Sequence, residues 1–90
     1  MTEEDLIALR NTIIQTQTFP SVYMYKFIVE SENRKIALIE NLFDDEVDIH
    51  IKESVNGKYT SITAKAVVIH VDEIITVYKK VSEIKGVIFL

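Results

Sequence analysis

Residues 47 to 68 read VDIHIKESVNGKYTSITAKAVV, a strand–turn–strand pattern around which the other elements can be placed. In its first half apolar residues alternate with polar ones, which is the period of a strand with one buried and one solvated face. Asn56-Gly57 is the dipeptide that most favours a tight turn between antiparallel strands. The segment therefore predicts a β-hairpin, with strands from about Val47 to Ser54 and from about Lys58 to Val68. The side chains expected to face the core are Val47, Ile49, Ile51, Ile62, Ala64 and Ala66.

The flanking sequence predicts further elements on both sides of this hairpin. Ser21–Glu30 alternates as a strand, with Tyr23, Tyr25, Phe27 and Val29 on the core side. Ser31 is expected to cap a following helix, whose buried stripe is Ile36, Ile39 and Phe43. After the hairpin, His70 is expected at a junction or cap, Asp72 and Glu73 suit a helix start, and Ile74, Val77, Tyr78 and Val81 form the buried stripe. Gly86 precedes a last short strand, Val87–Leu90.

The resulting order β-α-β-β-α-β predicts an α+β ferredoxin-like sandwich. Right-handed crossovers give a four-stranded antiparallel sheet in the order 4-1-3-2, with both helices on one face. Before it, residues 1–18 are expected to form an N-terminal helical arm, which begins with a Thr2/Asp5 capping box and ends before Pro20. The predicted division is therefore an arm at residues 1–18 and a ferredoxin-like domain at residues 19–90.

Composition excludes several classes of chemistry. The chain has 90 residues, a net charge of -4 and no cysteine, so disulfides, thiolate nucleophiles and cysteine metal sites are absent. The acidic balance argues against a nucleic-acid partner, because phosphate contacts need a basic surface. His50 and His70 lack metal-ligand spacing, and no glycine-rich phosphate loop is present. We therefore expect no catalytic residues, no cofactor and no metal. We also expect no membrane partner and a cytoplasmic location, since no signal peptide or long apolar run is visible.

Because both helices cover one face of the predicted sheet, the other face is left open. Lys26, His50, Tyr59 and Lys65 fall on that face, and the two lysines belong to adjacent strands. Their like charges repel unless an anion lies between them. One hypothesis is therefore that a small anionic ligand or an acidic partner peptide docks near these side chains. The alternative is that all are solvated surface residues.

The last predicted strand, Val87–Leu90, is an uncharged apolar edge. Such an edge needs cover, either from the N-terminal arm of the same chain or from a second copy, and both alternatives stay open here. The residues expected to take part in self-association are Leu6, Leu9, Ile13, Ile88 and Leu90. A homodimer is therefore one expected assembly, and any other protein partner is unknown.

A family resemblance rests on motifs spread over residues 19–90. They are Phe19-Pro20, Tyr25-Lys26, Gly57-Lys58-Tyr59-Thr60-Ser61-Ile62-Thr63, Asp72-Glu73, Val77-Tyr78, Ile84 and Leu90. Together they resemble the YbeD-like family, small bacterial proteins of unknown function. The resemblance implies a bacterial cytoplasmic protein with an ACT-like ferredoxin fold, and it carries over no active-site residues.

The function expected from the sequence is a non-catalytic regulatory or protein-interaction module that self-associates. One alternative is an ACT-like small-ligand sensor. The absence of a glycine after the first strand counts against it. Another is an RNA-binding module, which the acidic charge disfavours. An enzyme is the least supported class, because no nucleophile-plus-base pair is visible.

The anion hypothesis predicts the effect of removing both lysines. Replacing Lys26 and Lys65 together with alanine should weaken the binding of inorganic phosphate, because the positive charge that would hold it is gone. Phosphate-induced amide shifts in a nuclear magnetic resonance titration measure this. Identical shifts in the wild-type and doubly substituted proteins would sink the hypothesis.

Overall fold

A computed structural model describes residues 1–90 and contains three helices and four strands. The elements in chain order are α1 (Glu3–Thr16), β1 (Ser21–Glu30), α2 (Asn33–Glu40), β2 (Asp48–Glu53), β3 (Tyr59–Val68), α3 (Val71–Ser82) and β4 (Ile88–Phe89). The strands form one antiparallel sheet in the order β2-β3-β1-β4. Counted from the opposite edge of the sheet, this is the predicted order 4-1-3-2. The α+β class and the strand order are therefore confirmed. The architecture is compatible with a ferredoxin-like sandwich.

The two central strands pair over their whole length. β1 and β3 are in register from Ser21 opposite Val68 to Glu30 opposite Tyr59. The predicted turn is confirmed, with Gly57 at a φ of 71°, in the left-handed region that favours glycine. By contrast, β4 pairs with β1 only at Phe27 and Ile28. Most of β1 therefore has a strand neighbour on one side only.

The hydrophobic core lies on one face of the sheet, as the alternation of β1 predicts. Tyr25, Phe27 and Val29 are buried there, together with Ile74 of α3 and Ile39 of α2. Aromatic rings dominate the layer. The ring of Phe27 lies 6.0 Å from that of Tyr78 and 5.8 Å from that of Phe89, both in edge-to-face geometry. Such pairs add stabilisation beyond the area that they bury.

The capping predictions at two helix starts are confirmed. Thr2 and Asp5 form the expected reciprocal box at α1. At α3, Nδ1 of His70 accepts a hydrogen bond from the Asp72 N–H at 3.1 Å, and the carboxylate of Glu73 accepts one from the His70 N–H at 2.7 Å. These bonds satisfy backbone donors that a helix start leaves without partners.

Three local predictions were wrong. Ser31 does not cap α2: the cap is Glu32, which makes no side-chain hydrogen bond, while the Ser31 hydroxyl lies 2.8 Å from that of buried Thr60. Ile51 is 44% exposed rather than buried. It lies on the outer strand β2, and α2 packs mainly against β1, so no helix covers it. α2 is also shorter than expected, which puts Phe43 in the turn after the helix.

Helix α1 packs against its own chain. Ile13 is 4% exposed and belongs to the same hydrophobic cluster as Tyr25 and Ile74, and Leu6 and Leu9 pack against that cluster. The side chain of Arg10 donates to Asp72 of α3, with 3.1 Å between Nε and Oδ1. The arm therefore packs in cis, mainly against α3 and the core. It leaves Ile88 and Leu90 of the last strand exposed, so neither alternative for covering that edge is shown. The division at residue 18 stays a prediction.

The cis packing of α1 predicts a contrast between two neighbouring isoleucines. Ile13→Ala should lower the free energy of unfolding by about 2–3 kcal/mol, because it removes buried methyl groups from a packed core. Ile14→Ala is the matched control, and it should cost less than about 1 kcal/mol because Ile14 is exposed. Urea unfolding followed by circular dichroism measures both. Equal losses would show that α1 is not held in this way.

Candidate functional site

The open face of the sheet is the first candidate site. Its side chains come from the even-numbered positions of β1 and β2 and from the odd-numbered positions of β3, because facing residues in register share a face. No helix packs on it, and the whole buried core lies on the other face. The face divides into a charged part on β2 and β3 and an apolar part at one end of β1.

The charged part brings together three of the four predicted ligand-contact residues. Thr63 of β3 lies between Lys26 of β1 and His50 of β2 in one row across the sheet. Lys65 belongs to the next row, where it faces Met24 and Asp48, so the two lysines are diagonal neighbours rather than directly opposed. The expected closeness of the lysines is thus only approximate.

The surroundings of these residues also contain negative charge. Nε2 of His50 lies 3.3 Å from the carboxylate of Asp48, which is directly opposite Lys65. An acid in this position competes with any anion for the nearby cations. Tyr59 lies apart from the group, four residues and therefore about 13 Å along β3 from Thr63. Instead, the Nζ of Lys58 lies 5.6 Å from the centre of the Tyr59 ring. Anion binding at these residues stays a prediction.

The apolar part of the face lies at the end where β1 begins. Val22 and Val67 are directly opposite each other and are 66% and 71% exposed. Met24 and Ile69, also largely exposed, extend this surface. We call Val22, Met24, Val67 and Ile69 the apolar end. Contiguous exposed apolar side chains of this kind mark interaction surfaces more often than isolated ones.

Beside the apolar end, β1 has a free edge. The Leu90 N–H donates to the Lys26 carbonyl at 3.0 Å, so the even-numbered residues of β1 direct their backbone groups toward β4. β4 reaches only Phe27 and Ile28 in the ladder. No strand lies opposite Val22 and Met24 on that side, so their N–H and C=O groups have no ladder partner. We call Val22–Met24 the free edge.

Sequence analysis missed the free edge. It treated β4 as the exposed apolar edge of the sheet and gave β1 no role as an edge. No local sequence signal marks it, because the register between β1 and β4 decides which residues of β1 are paired.

The predicted self-association residues fall into two groups. Ile88 and Leu90 are exposed on the β4 edge, next to the free edge. Leu6, Leu9 and Ile13 are packed on the helix side of the same chain. The structure therefore brings only the first group to a surface that a second molecule can reach without displacing α1.

No group of three or more His, Asp and Glu side chains converges anywhere in residues 1–90. Among the helices, none combines the length and apolar character needed to cross a bilayer.

Comparison with known proteins identifies the family. The family model described as "Protein of unknown function (DUF493)" matches residues 15–90. The chain therefore belongs to this family, the YbeD family that its motifs resemble, and the match includes the last residues of α1. No curated protein and no solved structure gives a significant match.

Proposed function

We propose that this member of the DUF493 family is a non-catalytic protein-interaction module that self-associates through the free edge of β1. The proposal rests on how β1 is paired. On the β3 side β1 is paired over its whole length, and on the other side it is paired only where β4 reaches it. Unpaired backbone donors and acceptors at a sheet edge are a template for another strand.

The free edge lacks the features that usually protect an edge. On the opposite side of the sheet, the outer strand β2 carries Asp48, Lys52 and Glu53, charges that discourage strand addition. The free edge instead carries Val22 and Met24, both uncharged and exposed. Adding a strand here would pair backbone groups and cover the apolar end in one step.

A second copy of the same chain is the partner that these residues favour. Two identical free edges can pair antiparallel about a twofold axis through Tyr23 of each copy, because an isologous contact needs a self-complementary patch. Val22 of one copy then faces Met24 of the other on the open face, and no like charges are opposed. The net charge of -4 is carried elsewhere, including the acidic first turn of α1 and Asp44-Asp45-Glu46.

This proposal predicts that one substitution at the free edge abolishes self-association. Met24→Lys should keep the chain monomeric, because it places a positive charge on each side of the twofold axis, opposite Val22 of the other copy, where apolar side chains would meet. The matched control is Ile51→Lys, an equal change at an exposed position of the β2 edge. Light-scattering mass after size exclusion, over a concentration series, measures the result.

We expect the wild type and Ile51→Lys to rise above the monomer mass of 10.4 kDa toward twice that value, and Met24→Lys to remain at it. Circular dichroism should show the same fold for all three, since both positions are on the surface. A wild type that stays monomeric at every concentration would refute self-association. Equal behaviour of the two variants would place the contact away from the free edge.

A further inference from the structure

A separate cleft lies on the helix side of the sheet. It has a volume of about 460 Å³ and is bounded by the turn after α2, the first turns of α3, Tyr25 near the middle of β1 and the end of β3. Ala66 forms part of its floor, where a small side chain leaves depth. The volume is within the range of small-molecule sites. Neither the free edge nor the charged part of the open face contributes to this cleft, except that Val67 lies on its rim.

The hydroxyl of Tyr25 points to a missing partner in this cleft. Tyr25 is 2% exposed and lines the cleft, yet its hydroxyl makes no hydrogen bond within the chain. The neighbouring Tyr23 and Tyr78 hydroxyls, in contrast, bond to each other at 3.1 Å. No fully enclosed polar side-chain atom lacks a partner, so the Tyr25 oxygen must reach the cleft surface. Buried phenol groups normally have a partner, and here a ligand can supply it.

The charge around the cleft has one sign. Asp44, Asp72 and Glu73 line it, and no lysine, arginine or histidine does. Each carboxylate already has a partner: Asp72 bonds to Arg10, Glu73 accepts backbone N–H groups at the start of α3, and Asp44 accepts the Glu46 N–H at 3.0 Å. A carboxylate has about four acceptor sites, so these bonds leave further capacity. The cleft is thus suited to a cation and unsuited to an anion.

The aromatic walls favour the same kind of ligand. The rings of Tyr25 and Phe43 lie 5.2 Å apart at an angle of 55° and border the cleft together. The negative faces of such rings attract ammonium groups. Burial, together with the neighbouring Tyr23 hydroxyl and the Glu73 carboxylate, raises the pKa of Tyr25 above its ordinary value. The neutral hydroxyl can donate one hydrogen bond and accept others.

We propose that this cleft binds a small organic amine with an apolar body. The ammonium group lies among Asp44, Glu73 and the Tyr25 hydroxyl, and the apolar body contacts Val47, Val68 and Val77. The site is independent of the proposed self-association, because its polar contacts come from residues outside the free edge. It would make the protein a ligand-responsive module.

The test uses probes that share a phenylethyl body and differ in the charged or neutral group at one end. Phenethylamine, 2-phenylethanol and 3-phenylpropionate present a similar ring with a cationic, neutral or anionic end. In amide-shift titrations at neutral pH, phenethylamine should bind most tightly and 3-phenylpropionate least. The shifts should centre on Asp44, Val47, Val68 and Val77. Equal affinity for the amine and the alcohol would overturn the assigned ligand class, and shifts centred elsewhere would overturn the site.

Matched variants separate binding from folding. Tyr25→Phe removes only the unbonded hydroxyl, so it should leave the melting temperature almost unchanged and weaken phenethylamine binding about 3- to 10-fold. Tyr59→Phe, on the opposite face, should leave binding unchanged. Asp44→Asn should weaken binding by up to about 5-fold, whereas Asp45→Asn, just outside the cleft, should not.

These outcomes also distinguish the two proposals. Met24→Lys should bind phenethylamine as the wild type does, because Met24 does not line the cleft. If Tyr25→Phe and Asp44→Asn both bind phenethylamine as tightly as their controls, the amine site is refuted whether or not the protein self-associates.

Discussion

The register of β1 against β3 is the constraint on which the rest of the structure depends. It pairs Tyr25 with Ala64 and Phe27 with Ile62, so that the aromatic side chains of β1 enter the core over small or branched neighbours. A slip of one residue would exchange them with Met24 and Lys26 and put a lysine in the core. Because that cost is large, the same pairing also fixes which side chains stand on the open face and which backbone groups point away from β3.

Much of this could be predicted because it depends on local sequence. The hairpin at Asn56-Gly57, the parity of β1 and the caps at Thr2 and His70 each follow from residues within a few positions of one another. The errors concern placement in three dimensions. Ile51 has the right parity for burial, yet no helix lies over the outer strand. Ser31 is a good capping residue, but its hydroxyl is hydrogen-bonded to the Thr60 hydroxyl and not to the start of the helix.

Neither candidate site could be derived from sequence patterns alone. The free edge exists because two strands differ in length at a particular register, and the cleft exists because the turn after α2 and the start of α3 stand apart above Ala66. Tyr25 looks like an ordinary core aromatic in the sequence, and only the hydrogen-bond pattern of its neighbours shows that its hydroxyl has no partner. β1 thus serves both surfaces, with Val22 and Met24 at its edge and Tyr25 at the floor of the cleft.

Backbone groups in a central strand of the sheet are free in the monomer, and in the proposed assembly they are paired. Residue-resolved amide hydrogen exchange tests this most directly. In a dilute sample the amides of Tyr23 and Tyr25, which face β3, should be protected, while those of Val22 and Met24 should exchange fast. At high concentration the amides of Val22 and Met24 should become protected as well. Protection of all four in the dilute sample, or fast exchange of Val22 and Met24 at every concentration, would contradict this account.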